Sequence, residues 1–303
     1  MRGRKRGLIV AAVLLAAGAL VCGAALASAG FDFSRLGMVE YKTNTYAVSG
    51  DFQHILLRGD REKIVFAPSE DGACRVVCRE DEKEPHAVRV ENDTLTVEST
   101  ARRAWFFVDF SFLTSGPSVT VYLPRDAYGA LSVEGQTGDV AIPADFSFDS
   151  IQVTLSTGSV DCRAASADAV RVKTSTGGVR IADVACRGDV EVRVSTGGAV
   201  LENVTCQNLL SDGSTGGLTL KNVIASGKFD LRRSTGGIRF ESCDAETILV
   251  KTSTGSVTGT LRSGKVFSAH SDTGRVEVPG GGSGGRCEIT TSTGGIRIGI
   301  ENQ

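Results

Sequence analysis

A row of cations stands at one fixed place in a repeated motif. Lys173, Arg193, Arg232, Lys251 and His270 each precede by three residues a Thr that is followed by Gly. The same offset holds Glu134, Thr154, Asp212 and Thr290 in the other copies. If the copies stack, these side chains form a strip with a step of about 4.8 Å, suited to an anionic wall polymer or lipid headgroups. The plainer reading is a solvated face whose charges discourage strand pairing. Hydroxyls form a second column. Ser156, Ser175, Ser195, Ser214, Ser234, Ser253 and Ser292 stand beside the motif Thr. They suit a sugar polymer or ordered water, but in turns such hydroxyls also bond nearby backbone.

Other chemistry is sparse. No Gly-x-Ser-x-Gly elbow, P-loop or His-Glu-x-x-His occurs. Asp139, Asp161 and Asp183 fall at different offsets from the motif and form no carboxylate column. Cys74 and Cys78 are four apart with no His beside them in sequence, a poor zinc pattern. Cys162 and Cys243 occupy slots that are apolar in neighbouring copies and read as core. Cys186 and Cys206 each follow a motif Thr by ten residues, so they stack on adjacent coils, as a disulfide or as two free thiols. The expectation is therefore no catalytic residue, no cofactor and no metal. A net charge of −2 argues against a nucleic-acid partner.

The elements that position these columns follow from the repeat. The motif Thr are Thr137, Thr157, Thr176, Thr196, Thr215, Thr235, Thr254, Thr273 and Thr293, each followed by Gly. Their spacings are 20, 19, 20, 19, 20, 19, 19 and 20. Apolar and polar residues alternate on both sides, as in Val170/Val172 before and Val179/Ile181 after Thr176. Period two is the pattern of half-buried strands. The Thr-Gly unit is then a turn between two short strands, where Gly takes positive φ at little steric cost. Two strands cannot bury an apolar face alone, whereas stacked coils can. The fold class is all-β: a β-solenoid of about twenty-residue coils with an N-terminal β cap segment, preceded by one transmembrane helix.

The amino terminus supplies that helix. Arg2, Arg4, Lys5 and Arg6 precede an apolar or small run from Leu8 to Gly30, long enough for a single span with the amino terminus inside. A cleaved signal peptide ending at Ala27-Ser28-Ala29 and a lipoprotein site at Cys22 are the other readings. The expected organisation is a basic tail 1–7, signal-anchor or signal peptide 8–30, linker 31–44, β cap 45–126 and repeats 127–303. The aromatic stretch Trp105–Phe112 would put Phe106, Val108, Phe110 and Phe112 toward a core. Trp105 and Phe107 would lie under the linker or in an exposed contact.

A membrane span, an early segment closing in Val119-Thr120-Val121-Tyr122-Leu123-Pro124 and Ser-Thr-Gly-Gly coils resemble a bacterial domain-of-unknown-function family. It has β-strand repeats and is described as a putative adhesin. The resemblance covers residues 40 to 300. It implies a β-solenoid at the cell envelope, with no catalytic residues to carry over. The expected function is a non-enzymatic, membrane-anchored extracytoplasmic solenoid, an adhesin or envelope-surface interaction protein. The alternative is an envelope-stress sensory module acting with membrane partners. Expected partners are the membrane, a cell-wall polymer or an envelope protein. End-to-end self-association through the last coil, Ile296-Arg297-Ile298-Gly299-Ile300, is also expected. Location is the cell membrane with the body outside, or secretion after cleavage.

Overall fold

The computed structural model describes residues 2–28, 41–100, 116–280 and 282–301, with the side chains of 2–10, 12, 25, 26 and 167 left out. The linker and the Trp105–Phe112 stretch therefore lie largely or wholly outside the described residues. The body is a β-solenoid. In each coil one strand runs into the Thr-Gly turn and a second leaves it. Ala165–Thr176 pairs in parallel with Ser147–Thr157 and with Asp189–Thr196. Val179–Ala182, beyond the turn, pairs in parallel with Val160–Cys162 and with Ala199–Cys206. Alternate side chains of both strands point inward. Val170, Val172, Val179, Ile181 and Val184 are all at most 2% exposed, and equivalent residues repeat from coil to coil.

The turn sets the stacking distance. Gly158, Gly177, Gly197 and Gly216 take φ between 125 and 144°, a region that L side chains avoid. Each donates its N–H to the Thr carbonyl of the next coil, as in Gly177 to Thr196 at 2.9 Å and Gly197 to Thr215 at 2.8 Å. A Cβ on Gly197 would lie 1.8 Å from the Gly177 carbonyl oxygen. The turns are thus packed backbone on backbone.

Polar groups inside the coil are matched. Thr174, Thr252 and Thr291 are buried and donate their hydroxyls to the carbonyls of Gly158, Gly236 and Gly255, at 3.2, 3.2 and 3.0 Å. In the same interior column Arg233 lies opposite Gly213 and is 4% exposed. Its guanidinium donates to Ser211 Oγ at 2.9 Å and to the Arg232 carbonyl at 2.7 Å. The missing side chain at Gly213 makes room, since a Cβ there would sit 3.1 Å from Arg233 Cζ. At a corner of the coil, Asp183, Asn203, Asn222 and Ser242 all take φ of 51 to 59°. Asn203 donates to Asp183 at 2.7 Å and Asn222 to Asn203 at 2.8 Å, a ladder that satisfies these tight corners.

Both ends depart from chain order. At the carboxy end Gly285–Thr293 lies between Ile238–Thr254 and Lys265–Thr273. Ile296–Ile300 likewise lies between Val257–Leu261 and Val276–Glu277. The last coil in sequence is therefore the penultimate one in space, so Ile296–Ile300 is not the outermost strand. Ile296–Ile300 is paired along its length with Val257–Leu261, and at Ile296 and Arg297 with Val276–Glu277. The terminal coil is instead the one holding Lys265–Thr273, where Val266 and Val276 are 56% and 38% exposed. At the other end His54–Gly59 lies between Thr94–Ser99 and Ala127–Thr137. Lys63–Pro68 similarly lies between Ser118–Leu123 and Val140–Ile142. Three antiparallel strands close this end: Arg75–Asp81 on Ser118–Leu123, Tyr41–Ala47 on Arg75–Asp81, and His86–Glu91 on Thr94–Ser99.

A helix spans Arg2–Ser28. Among the described residues no helix is long and apolar enough to cross a membrane.

Gly197→Ala combines positive φ with a backbone collision, so it should cost about 2–5 kcal/mol. Gly178→Ala is the control, because its Cβ would meet nothing nearer than Ser159 Oγ at 3.8 Å. Denaturant melts should separate the two, with Gly178→Ala at or slightly above wild-type stability.

Candidate interaction surface

All nine motif Thr fall into one column, but not in chain order. The pairs run Thr137–Thr157–Thr176–Thr196–Thr215–Thr235–Thr254–Thr293–Thr273. Both the Thr and its preceding Ser are exposed in coil after coil, as at Ser175/Thr176 and Ser234/Thr235. What this column gives the turn is its main-chain carbonyl. The buried hydroxyl bonding belongs to Thr174, Thr252 and Thr291, two residues before, which sequence reasoning did not single out. Their signal was a Thr at an inward slot that Leu155 and Val194 fill in the coils adjacent to Thr174.

The cation row is also in register, three residues from the hydroxyl column. Thr154 lies beside Lys173, Lys173 beside Arg193, Arg193 beside Asp212, Asp212 beside Arg232 and Arg232 beside Lys251. Next come Thr290 and then His270, so His270 does not adjoin Lys251 as chain order implied. Beyond Glu134 the row extends to Arg58 and Glu98, joined at 3.3 and 2.8 Å. Much of the positive charge is compensated. Arg193 pairs with Glu191 at 2.5 Å, Arg232 with Asp230 at 2.9 Å and His270 with Asp272 at 3.0 Å. Lys173 and Lys251 pair with no carboxylate among the described residues. Arg171, Lys173, Arg193 and Glu191 line a shallow depression of about 240 Å³ together with Gln152 and Thr154.

The sheet on the other side of the turn is more fully paired. Arg180 meets Glu202 at 2.8 Å, Arg239 meets Glu241 at 2.7 Å and Arg297 meets Glu277 at 2.8 Å. Such exposed pairs each contribute little stability, but they leave little net field on that face. Cys186 and Cys206 lie on adjacent coils, and both are free thiols buried from solvent. Burial pushes the Cys206 thiol up to about 12.

One buried polar cluster lies in the cap. Glu80 accepts from Asn44 at 2.7 Å and from the Tyr46 hydroxyl at 2.5 Å through one oxygen. Its other oxygen accepts the His86 backbone N–H at 2.6 Å and meets Nδ1 of the same residue at 2.5 Å. Glu62 faces Nε2 at 3.4 Å and accepts the N–H groups of Asp60 and Arg61 at 2.6 and 2.9 Å. Single donor atoms of Cys78, Glu80 and His86 lie within 4.8 Å of one another. Sequence reasoning paired Cys78 only with Cys74, because the strand turn that returns His86 to it is a tertiary feature. Burial alone would lower the pKa of His86, but the neighbouring carboxylates of Glu62 and Glu80 outweigh it, and the net shift is upward. Burial would likewise raise both carboxyls, yet the imidazole beside Glu62 and the hydrogen bonds from Tyr46 and Asn44 to Glu80 hold them low. Burial, then Glu80 and Glu62, push the Cys78 thiol up to about 12.

The model of the family described as Toastrack DUF4097 matches residues 52–222. The chain belongs to that family. The match runs from the coil inserted in the cap through the middle of the Toastrack stack. A putative adhesin from Parabacteroides distasonis is similar, with 11% identity over 86% of this chain and 98% of that one and a TM-score of 0.51. A putative adhesin from Bacteroides fragilis has 15% identity over 86% and 97%, with a TM-score of 0.49. No curated protein matches the chain. At 11% identity the likeness to the Parabacteroides distasonis protein is one of fold.

The cap cluster makes stability pH-dependent at both limits. The lowered carboxyls contribute fully above about pH 4.5, their ordinary value, and are lost as pH falls through their folded values. The raised imidazole contributes fully below about pH 6.5 and is lost as pH rises through its folded value. Urea melts of chelator-dialysed protein should therefore show this contribution intact between those values. His86→Gln should flatten the alkaline limb.

Proposed function

We propose that this Toastrack protein is a non-enzymatic, membrane-anchored solenoid outside the cytoplasmic membrane. Its Lys173–Lys251 rim would engage an anionic envelope polymer as an adhesin or envelope-surface interaction protein. The observation that carries this reading is the juxtaposition on one rim. Exposed Ser-Thr hydroxyls and a row of cations run in register three residues apart, with Lys173 and Lys251 uncompensated. A polymer with repeating acidic and hydroxyl groups can meet such a ladder at many points. Each contact is weak, but in-register multiplicity accumulates binding. The anchor rests on composition and exposure. Leu14, Leu15, Leu20 and Val21 of the helix Arg2–Ser28 are 67 to 76% exposed, while apolar side chains of the β-body are buried almost throughout. Four basic residues precede that run, which favours an inside amino terminus.

Cosedimentation of the full chain with purified anionic cell-wall polymer should show binding that weakens steeply as salt rises. Lys173→Glu combined with Lys251→Glu should reduce it at least tenfold without changing thermal stability. Equal binding by the double variant would refute the rim as the contact surface. Protease added to intact cells should digest the body, and protection of the body would refute the location.

A further inference from the structure

The strongest unassigned chemistry is the buried cluster of the cap. His86 is 6% exposed as a residue and its side chain 3%. Its Nδ1 is held by Glu80, but Nε2 is buried and makes no hydrogen bond. A buried ring nitrogen without a hydrogen-bond partner is costly and uncommon. Nε2 faces the Glu62 Oε1 atom at 3.4 Å. That is too long and poorly aligned for a good hydrogen bond, yet it matches the separation of about 3.3–3.4 Å expected for nitrogen and oxygen ligands on one tetrahedral zinc. The Cys78 thiol, fully buried, lies within 4.8 Å of a His86 ring nitrogen and a Glu80 oxygen. Sulfur and nitrogen on a tetrahedral zinc are about 3.6 Å apart, so the thiol is a near neighbour that could supply a sulfur ligand.

We propose that Cys78, His86 and Glu62 form a buried site for one zinc-class metal ion, with Glu80 as the residue that positions the imidazole. Glu80 already accepts four contacts through its two oxygens, from Asn44, Tyr46 and twice from His86. It is therefore occupied in fixing the ring with its proton on Nδ1, the arrangement in which a carboxylate orients a metal-bound histidine. Glu62 has one oxygen committed to the Asp60 and Arg61 N–H groups and the other free to coordinate. Sulfur, nitrogen and carboxylate oxygen together suit zinc or cobalt better than calcium or magnesium, which take oxygen ligands only.

A metal ion needs the Cys78 thiolate and the Nε2 lone pair, so any proton held on either atom passes to solvent on uptake.

The test uses the full chain, stripped with chelator and titrated with Co²⁺ alone. The expected result is one Co²⁺ per chain, with tetrahedral ligand-field bands and a near-ultraviolet thiolate-to-cobalt band, all bleached by equimolar Zn²⁺. Cys78→Ser should remove the thiolate band. Glu80→Gln should weaken binding by about 10–100-fold, the usual effect of losing an orienting carboxylate. Zn²⁺ should raise the melting temperature of the wild-type chain and not that of His86→Gln. Absence of cobalt bands in the wild-type chain would overturn the site whatever the variants do. A thiolate band that persists in folded Cys78→Ser would also overturn it, by assigning the signal to another cysteine. If Cys78→Ser does not fold, folded Glu62→Gln decides: weaker uptake supports the site and unchanged uptake refutes it.

Discussion

The structure depends on how closely one Thr-Gly turn can lie against the next. Parallel strands in a solenoid are held about 4.8 Å apart by their main-chain ladders. At the turn the backbone must keep the same spacing while reversing direction. Only a residue without Cβ permits this, because the carbonyl of the preceding turn occupies the place where a Cβ would stand. Once the turns are seated, the flanking strands are forced into register. Period-two alternation then decides which side chains enter the core and which face water. The inward Thr that bond the neighbouring turn carbonyls are part of the same arrangement. They satisfy, across a coil boundary, acceptors that the tight turn would otherwise leave buried and unpaired.

A stack of identical coils has two ends, and each would leave an unpaired strand edge. The amino end is closed by strands that turn antiparallel to the stack, a change of direction that halts further parallel addition. The carboxy end is handled by folding the last coil back into the penultimate position. Its strands then gain partners on both sides, and the outermost place goes to Lys265–Thr273. The edge that remains carries the exposed His270 and Asp272, and charge on an edge strand opposes adventitious pairing.

The same periodic register makes the exterior a lattice of columns. Most arginines there lie beside a carboxylate of their own or a neighbouring strand, so field strength is set by the few exceptions and not by the number of basic residues. The cap has the opposite economy. It is irregular, and it buries two carboxylates, an imidazole and a thiol in a group that no repeat position could host. Burying charge is tolerated there because each oxygen of Glu80 and one of Glu62 are filled by donors.

By itself the sequence determined the coil. A Thr-Gly pair every 19 or 20 residues, with alternating apolar residues on either side, leaves no other arrangement that buries the apolar face. Cys162 and Cys243 are core residues as their offsets implied, and Lys173 and Arg193 do lie side by side. These features are local or periodic, and periodicity is carried in one dimension. The order of the last two coils and the insertion of His54–Gly59 into the stack were decided only in three dimensions. So were the partners that neutralise Arg193 and Arg232, and the meeting of Glu62, Cys78, Glu80 and His86. Each depends on which strand edge a segment finds free, or on a chain reversal that brings distant residues together. Neither is written in the spacing of residues along the chain.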